Sequence, residues 1–330
     1  MAQPLTFGII GVGYFGKHYV RLLEESEGAT LSLLTPPSAL VAPELKKSYS
    51  NIQKKIASPK EIIEDPAIQC IVIATPARTH FKIAEAALQC GKHVLCEKPM
   101  TQTLQEAELL RTAVEKSGCI FMVGHQYLYN DHIRRLKEEL NRNTFGKISH
   151  IIAEHFYFGP IRRDGGCMWE TAVHEISMLD YFLNHAEPRF IDGRRISING
   201  AREDYATFNL MFPDQMMATI SVSWFYPQKV RRMAIIGEKG TAFYDDTLHE
   251  RKLMFRLVPY PENISESSSF FTFQDQVSDA VPEINAREPL RNQLEHFIDC
   301  AVHGKRPLTD IEHGLRVIKL LDTISKEIRL

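Results

Sequence analysis

Six residues near the start of the chain, Gly11-Val12-Gly13-Tyr14-Phe15-Gly16, constrain its fold more than any other feature. They follow an apolar run, Leu5-Thr6-Phe7-Gly8-Ile9-Ile10, and open a stretch, 14–25, that reads as a helix. The G-x-G-x-x-G spacing thus stands where a strand hands over to a helix. There the first glycine permits a tight turn, the second lets backbone approach a pyrophosphate, and the third lets helix pack on strand. A helix start also presents N–H groups and the positive end of its dipole to phosphate. A dinucleotide held by Gly11, Gly13, Tyr14, Phe15 and Gly16 is the expectation.

The alternation continues. Strands are predicted at 5–10, 30–34, 70–74, 93–96 and 120–123, and helices at 14–25, 59–63, 79–89 and 104–116. The strands are continuous apolar runs, as needed when helices cover both faces of a parallel sheet. The first part is therefore an α/β, doubly wound Rossmann domain. Past Gly124 the pattern changes. A helix at 131–140, a strand at 147–158 and a helix at about 169–183 precede strands at 205–212, 215–224, 230–236, 241–244 and 252–258. Ala218-Thr219-Ile220-Ser221-Val222-Ser223 alternates, and Pro213-Asp214 reads as a hairpin turn. This predicts an open, mainly antiparallel sheet with one face exposed or covered by a partner. The polar stretch 259–269 reads as a loop, and helices at 290–303 and 311–328 close the chain.

With 330 residues, the chain suits two domains. The 39 Lys and Arg against 41 Asp and Glu leave no basic footprint for nucleic acid or an anionic membrane. No apolar run approaches the roughly 20 residues of a membrane span. Met1-Ala2-Gln3-Pro4 leads straight into the first strand, so no signal peptide is expected. The six cysteines show no metal-ligand spacing. Cys70, Cys90, Cys96 and Cys119 read as buried thiols of a reducing cytoplasm, where the triplet Asn263-Ile264-Ser265 is never glycosylated.

Three further sites carry chemistry. Ala74-Thr75-Pro76 ends the third strand at its carboxyl end, where open α/β sheets bind ligands, or else is a plain strand terminator. His80, four residues after Pro76, reads locally as a helix-start residue. Glu97-Lys98-Pro99 follows the fourth strand, and Pro99 stiffens the turn that holds Lys98. A surface ion pair is the competing reading. In Trp169-Glu170-Thr171-Ala172-Val173-His174, the carboxylate and the imidazole are four apart and share a helix face, as a cleft pair or a structural one. Histidine is the side chain best suited to take a hydroxyl proton near neutral pH. Arg134-Arg135, Arg162-Arg163, Arg194-Arg195 and Arg231-Arg232 are paired cations, of which one or two could hold an anionic substrate group.

This ordered set, with Gly124-His125 added, resembles the Gfo/Idh/MocA family, the glucose-fructose oxidoreductase and inositol dehydrogenase group, over nearly the whole length. Tyr127-Leu128-Tyr129-Asn130, Gly159-Pro160-Ile161-Arg162, Met168-Trp169-Glu170, Pro227-Gln228-Lys229-Val230-Arg231 and Tyr244-Asp245-Asp246 resemble a branch acting on nucleotide-linked sugars. The resemblance implies a Rossmann domain at 1–124. It implies a substrate and oligomerisation domain at 125–330, whose C-terminal helices pack back on the first. A homodimer or homotetramer through the open sheet face follows. It implies cofactor contacts from the glycine turn, Thr35, Thr75, Pro76, His80, Glu97 and Lys98. Lys98 would bond the reacting hydroxyl, His174 would carry its proton, and Glu170, which replaces the Asp of many relatives, would assist. Tyr127, Tyr129, Arg162, Trp169, Lys229 and Arg231 become substrate contacts. Thr35 stands where NAD-preferring relatives often carry an acidic residue, and no Arg stands beside it to attract a 2′-phosphate. NAD or NADP is therefore expected, with NAD ahead. The implied activity is hydride transfer between nicotinamide and a sugar secondary alcohol or ketone. A sensor that binds without turnover, or an enzyme with a tightly held cofactor and no net redox change, are the alternatives.

Overall fold

A computed structural model describes residues 4–35, 57–159, 165–198, 200, 202–257 and 278–329. Arg162 and Arg163, Pro36-Pro37 and the stretch 259–269 with its Asn263 triplet lie outside them. The chain divides into two compact units. One comprises Met1–Tyr129 and Glu288–Lys319, the other Asn130–Arg287 and Leu320–Leu330.

The first unit alternates strand and helix: β1 (Leu5–Ile10), α1 (Gly16–Glu24), β2 (Ala29–Thr35), α2 (Pro59–Glu64), β3 (Cys70–Ile73), α3 (His80–Gln89), β4 (His93–Cys96), α4 (Leu104–Ser117) and β5 (Phe121–Val123). The strands pair in parallel in the order β2-β1-β3-β4-β5. Phe7, Ile9, Ile10, Ile71, Val72, Val94 and Leu95 are fully buried, which is why these strands read as unbroken apolar runs. Local signals set the helix ends. Ser58 and Glu61 form a reciprocal capping box on α2. Thr103 accepts the Glu106 N–H at the start of α4. Strand order reverses direction between β1 and β3, and ligands of such sheets bind outside the carboxyl ends at that switch point. Late in the chain come α7 (Pro289–His303) and α8 (Ile311–Glu327). Phe297 of α7 meets Phe7 edge-on, with ring centroids 6.1 Å apart.

The second unit carries α5 (Asp131–Asn141), β6 (Ile148–Phe158), a π turn (Met168–Ala172) running into α6 (Val173–Phe182), and then β7 (Phe190–Ile196), β8 (Tyr205–Met211), β9 (Met217–Ser223), β10 (Phe225–Gly237), β11 (Gly240–Asp245), β12 (Leu253–Leu257) and β13 (Ser278–Ala280). Their order is β13-β12-β11-β10-β6-β9-β8-β7. One face is apolar and buried: Ile151 and Ala153, Phe208 and Leu210, Ala218, Ile220 and Val222, Met233 and Ile235. The other is laced by polar pairs, Thr207 with Ser221 at 2.9 Å, Thr219 donating to Asn209 at 2.8 Å, and Arg232 with Glu154. Trp224 is fully buried and its indole N–H donates to Asp204 at 2.7 Å.

Several expectations need correction. β7 and β13 were not anticipated. β7 carries Gly193 and two arginines at a sheet edge, and β13 has three residues. The sheet is mainly antiparallel, as expected, with one parallel pair, β6 with β9, which their separation in the chain permits. The helix expected from 169 begins with a π turn. Cys90 is exposed and Cys119 only half-buried. Cys70 and Cys96 are buried, and burial pushes the Cys70 thiol up to about 12.

Candidate active site

The glycine turn has the geometry its spacing requires. Gly11 sits at φ +99°, and a side chain there would strike Ala74 and Thr75 at 2.7 Å. A Cβ at Gly16 would lie 2.1 Å from the Gly11 carbonyl oxygen, so only glycine lets α1 start so close to β1. Gly13 faces open space. No side chain caps the start of α1, which leaves that end to an anion. Tyr14 is 86% exposed, and Phe15 packs edge-on against Tyr19. This cradle fits a dinucleotide pyrophosphate.

The neighbouring strand ends complete the edge. Thr35 closes β2, its hydroxyl donating to the Ala57 carbonyl at 2.9 Å and its carbonyl accepting the Val12 N–H at 3.0 Å. The Thr75 hydroxyl accepts from Thr79 at 2.7 Å, and Pro76 beside it is exposed. His80 is buried, with one ring nitrogen 2.8 Å from the Thr75 carbonyl and the other 2.8 Å from the Pro99 carbonyl. It joins the loops after β3 and β4 and presents no open edge to a ligand. Glu97 is also buried. It accepts from the Tyr19 hydroxyl at 2.7 Å and from the Lys98 backbone N–H at 3.2 Å. Gln293 of α7 donates to the same Tyr19 oxygen at 2.7 Å. Burial first, then the charge of Glu97, pushes the Tyr19 phenol well up, so it remains a donor. Gly124 lies flat on the Glu97 carboxylate, which a Cβ there would approach to 2.9 Å. Lys98 therefore rides on a backbone anchored from below, half-buried at the sheet edge.

In the second unit, Glu170 lies within the π turn and packs towards Gly165. A π turn closes its bonds five residues apart, so the four-residue spacing to His174 does not fix a shared face. The His174 ring instead stacks on His155 of β6, with centroids 5.9 Å apart and planes 25° from parallel. His155 contacts Glu175 through Nδ1 at 2.9 Å, while its Nε2 accepts from Arg231 at 2.8 Å. Trp169 donates to Ser325 at 3.2 Å, and Lys229 is exposed on β10. Tyr127 and Tyr129 belong to the first unit. Tyr129 has no exposed surface, and its hydroxyl meets Thr309 at 3.0 Å, which makes it a core residue. Sequence reasoning missed His155, Glu175, Tyr19 and Gln293. Only His155 left a trace, as an inward position on the alternating strand with Ile151 and Ala153.

Residues 5–125 match the model of the Gfo/Idh/MocA oxidoreductases with NAD-binding Rossmann fold, and 133–243 match the C-terminal domain of the same family. The uncharacterised oxidoreductase YdgJ of Escherichia coli K12 is 31% identical over 251 residues, 73% of this chain and 71% of its own. The chain belongs to the Gfo/Idh/MocA family. It is also similar to scyllo-inositol 2-dehydrogenase (NAD(+)) of Bacillus subtilis, 25% identical over 94% of this chain and 91% of that protein. UDP-N-acetylglucosamine 3-dehydrogenase of Acidithiobacillus ferrooxidans is 27% identical over 94% and 93%. A solved structure of the latter has a TM-score of 0.82, covering 99% of this chain and 98% of that one at 21% identity, and shows the same fold. As a Gfo/Idh/MocA member the protein is an NAD(P)-dependent oxidoreductase, and the turn at Gly11–Gly16 lies within its NAD-binding Rossmann domain.

Proposed function

We propose that this enzyme interconverts a secondary alcohol and a ketone on a sugar, and that the sugar is nucleotide-linked. The observation that carries the reading is Lys98 at the carboxyl edge of the parallel sheet, its backbone anchored by buried Glu97 one strand beyond the switch point. Bound NAD or NADP supplies the hydride acceptor or donor. Lys98 donates a hydrogen bond to the reacting oxygen and eases loss of its proton. His174 takes that proton in oxidation and returns it in reduction. Glu170 orients the sugar or His174. Thr75 and Pro76 line the cofactor side, while Tyr127, Trp169, Arg162 and exposed Lys229 serve the substrate. Lys229 is the cation for its anionic part. Thr35 neither repels a 2′-phosphate nor offers it a cation, so both dinucleotides bind, NAD ahead.

We further read the open sheet face as a homo-oligomer interface. Phe158 is 71% exposed and its ring packs on that of Phe225, itself exposed. The six free cysteines fit a reducing cytoplasm. Among the described residues no helix is long and apolar enough to cross a membrane.

A thermal-shift panel of NAD, NADP, free polyols and nucleotide-linked sugars tests the reading. A ligand at 100 times its dissociation constant stabilises by about 2.7 kcal/mol. Shifts with a dinucleotide and then with a nucleotide-linked sugar are expected. No shift with either dinucleotide, or shifts with free polyols alone, would overturn the cofactor or the substrate assignment respectively.

A further inference from the structure

His155 and Glu175 are among the most buried ionisable residues of the second unit, 3% and 5% exposed, and the mechanism above does not use them. They are 20 residues apart, one on β6 and one on α6, and meet at 2.9 Å. The β6–β10 register sets Arg231 directly opposite His155, and its Nε donates to the imidazole Nε2 at 2.8 Å. A guanidinium only donates, so the His155 Nε2 carries no proton. The ring's proton then sits on Nδ1 and is donated to Glu175. Arg231 is in turn held by Asp246 at 3.5 Å. Asp246 accepts from Tyr244 at 3.0 Å and from Lys252 at 3.4 Å, and Tyr244 accepts from Asn130 at 3.1 Å. Asn130, Tyr244 and Asp246 thus form a hydrogen-bonded chain that ends on the Arg231 guanidinium.

We infer that Arg231, His155 and Glu175 form a positioning relay beneath His174. Arg231 locks His155 as the neutral Nδ1–H tautomer, and the locked ring presents a flat face to His174 with the Glu175 carboxylate behind it. The inference rests on the proposed acid–base role of His174. It makes Arg231 an internal support and leaves Lys229 as the substrate cation. A neutral stacking partner avoids placing a second cation beside His174 when it holds the proton, and the carboxylate favours that charged form. The ionisable groups set around His155 are Tyr157 on β6, His174 and Glu175 on α6, Arg231 on β10, and Asp246 with Lys252 beyond it.

The test is histidine nitrogen NMR on the full-length 15N-labelled protein, with His155→Gln assigning the His155 resonances. In the wild type, His155 should show a protonated Nδ1 and a bare Nε2 at neutral pH. Titration of His174 should then move to lower pH in Glu175→Gln and to higher pH in Arg231→Gln, each by about half a pH unit or more. A wild-type His155 that is Nε2-protonated or doubly protonated would overturn the relay, and this measurement needs no variant beyond the assignment. So would a His174 titration that both substitutions leave unmoved. Neither readout uses turnover, so a protein that oxidised no sugar would sink the functional proposal and leave the relay to stand or fall by its own spectra.

Discussion

The two units prepare their chemistry in different ways. The first presents backbone. Five parallel strands, the inner ones buried on both faces, end on one edge, where short turns present backbone and Lys98. Its glycine turn depends on segments close in sequence or at adjacent strand ends, and only the anchor under Lys98 draws on distant helices, through Tyr19 and Gln293. The second presents side chains. Its mixed sheet has one apolar face, and His155, Arg231 and Glu175 come together there only because strand register and helix packing bring distant segments into contact. A site made of backbone tolerates change outside its glycines, whereas a site made of cross-strand side chains fails with any one partner.

That contrast can be broken at several points. The largest effect is expected at the proton-handling residues. Lys98→Ala and His174→Ala should each lower kcat roughly 10²- to 10⁴-fold, and His174→Ala should leave dinucleotide affinity intact, as read by steady-state kinetics and calorimetry. Full turnover in both would remove the mechanism. Gly16→Ala comes next. Its Cβ would overlap the Gly11 carbonyl at 2.1 Å, so the dinucleotide thermal shift of about 2.7 kcal/mol at saturation should vanish and the apoprotein should weaken as well. Gly13→Ala, facing open space, should lose affinity without losing apoprotein stability. Equal destabilisation by both would contradict the division of labour among the glycines. In the second unit, Trp224→Phe leaves Asp204 without its buried donor and should cost about 1–3 kcal/mol in denaturant unfolding, with dinucleotide affinity unchanged.

The smallest effect is on acid stability. His93 accepts the Ile120 N–H at 3.0 Å, and burial lowers its pKa below the ordinary 6.5. Burial lowers His132 and His150 too. A histidine depressed in the fold leaves the unfolded chain binding more protons in the window below 6.5, so stability is full above that value and falls as pH drops through it. Thermal midpoints at pH 7.5 and 5.5 should show this loss, and His93→Gln should reduce it. An unchanged pH dependence in that variant would show that His93 does not contribute.

The same contrast explains what was legible in advance. Apolar runs such as Cys-Ile-Val-Ile at 70–73, and the glycine spacing at 11–16, depend on neighbours in sequence and could be read directly. So could the turn holding Lys98. The depth of Glu97 and the internal role of His80 could not, because they depend on distant segments, Tyr19 and Gly124 for Glu97 and the Pro99 turn for His80. In the second unit, alternation revealed most strands. It could not reveal β7, whose glycine and arginines suit an edge, or the parallel β6–β9 pairing. The four-residue spacing from Glu170 to His174 pointed to a pair on one helix face, but the π turn changed the helical period beneath it. The contact that emerged, His174 on His155, joins two elements whose sequences hold no sign of each other.

The most direct test follows reduced nicotinamide by absorbance while wild type and His174→Ala are offered NAD or NADP with a panel of nucleotide-linked sugars and free polyols. In the wild type a nucleotide-linked sugar should drive nicotinamide reduction, or its ketone reoxidation, and His174→Ala should lose at least about 100-fold of that rate. Turnover that survives the substitution, or a dinucleotide that never binds, would contradict the mechanism.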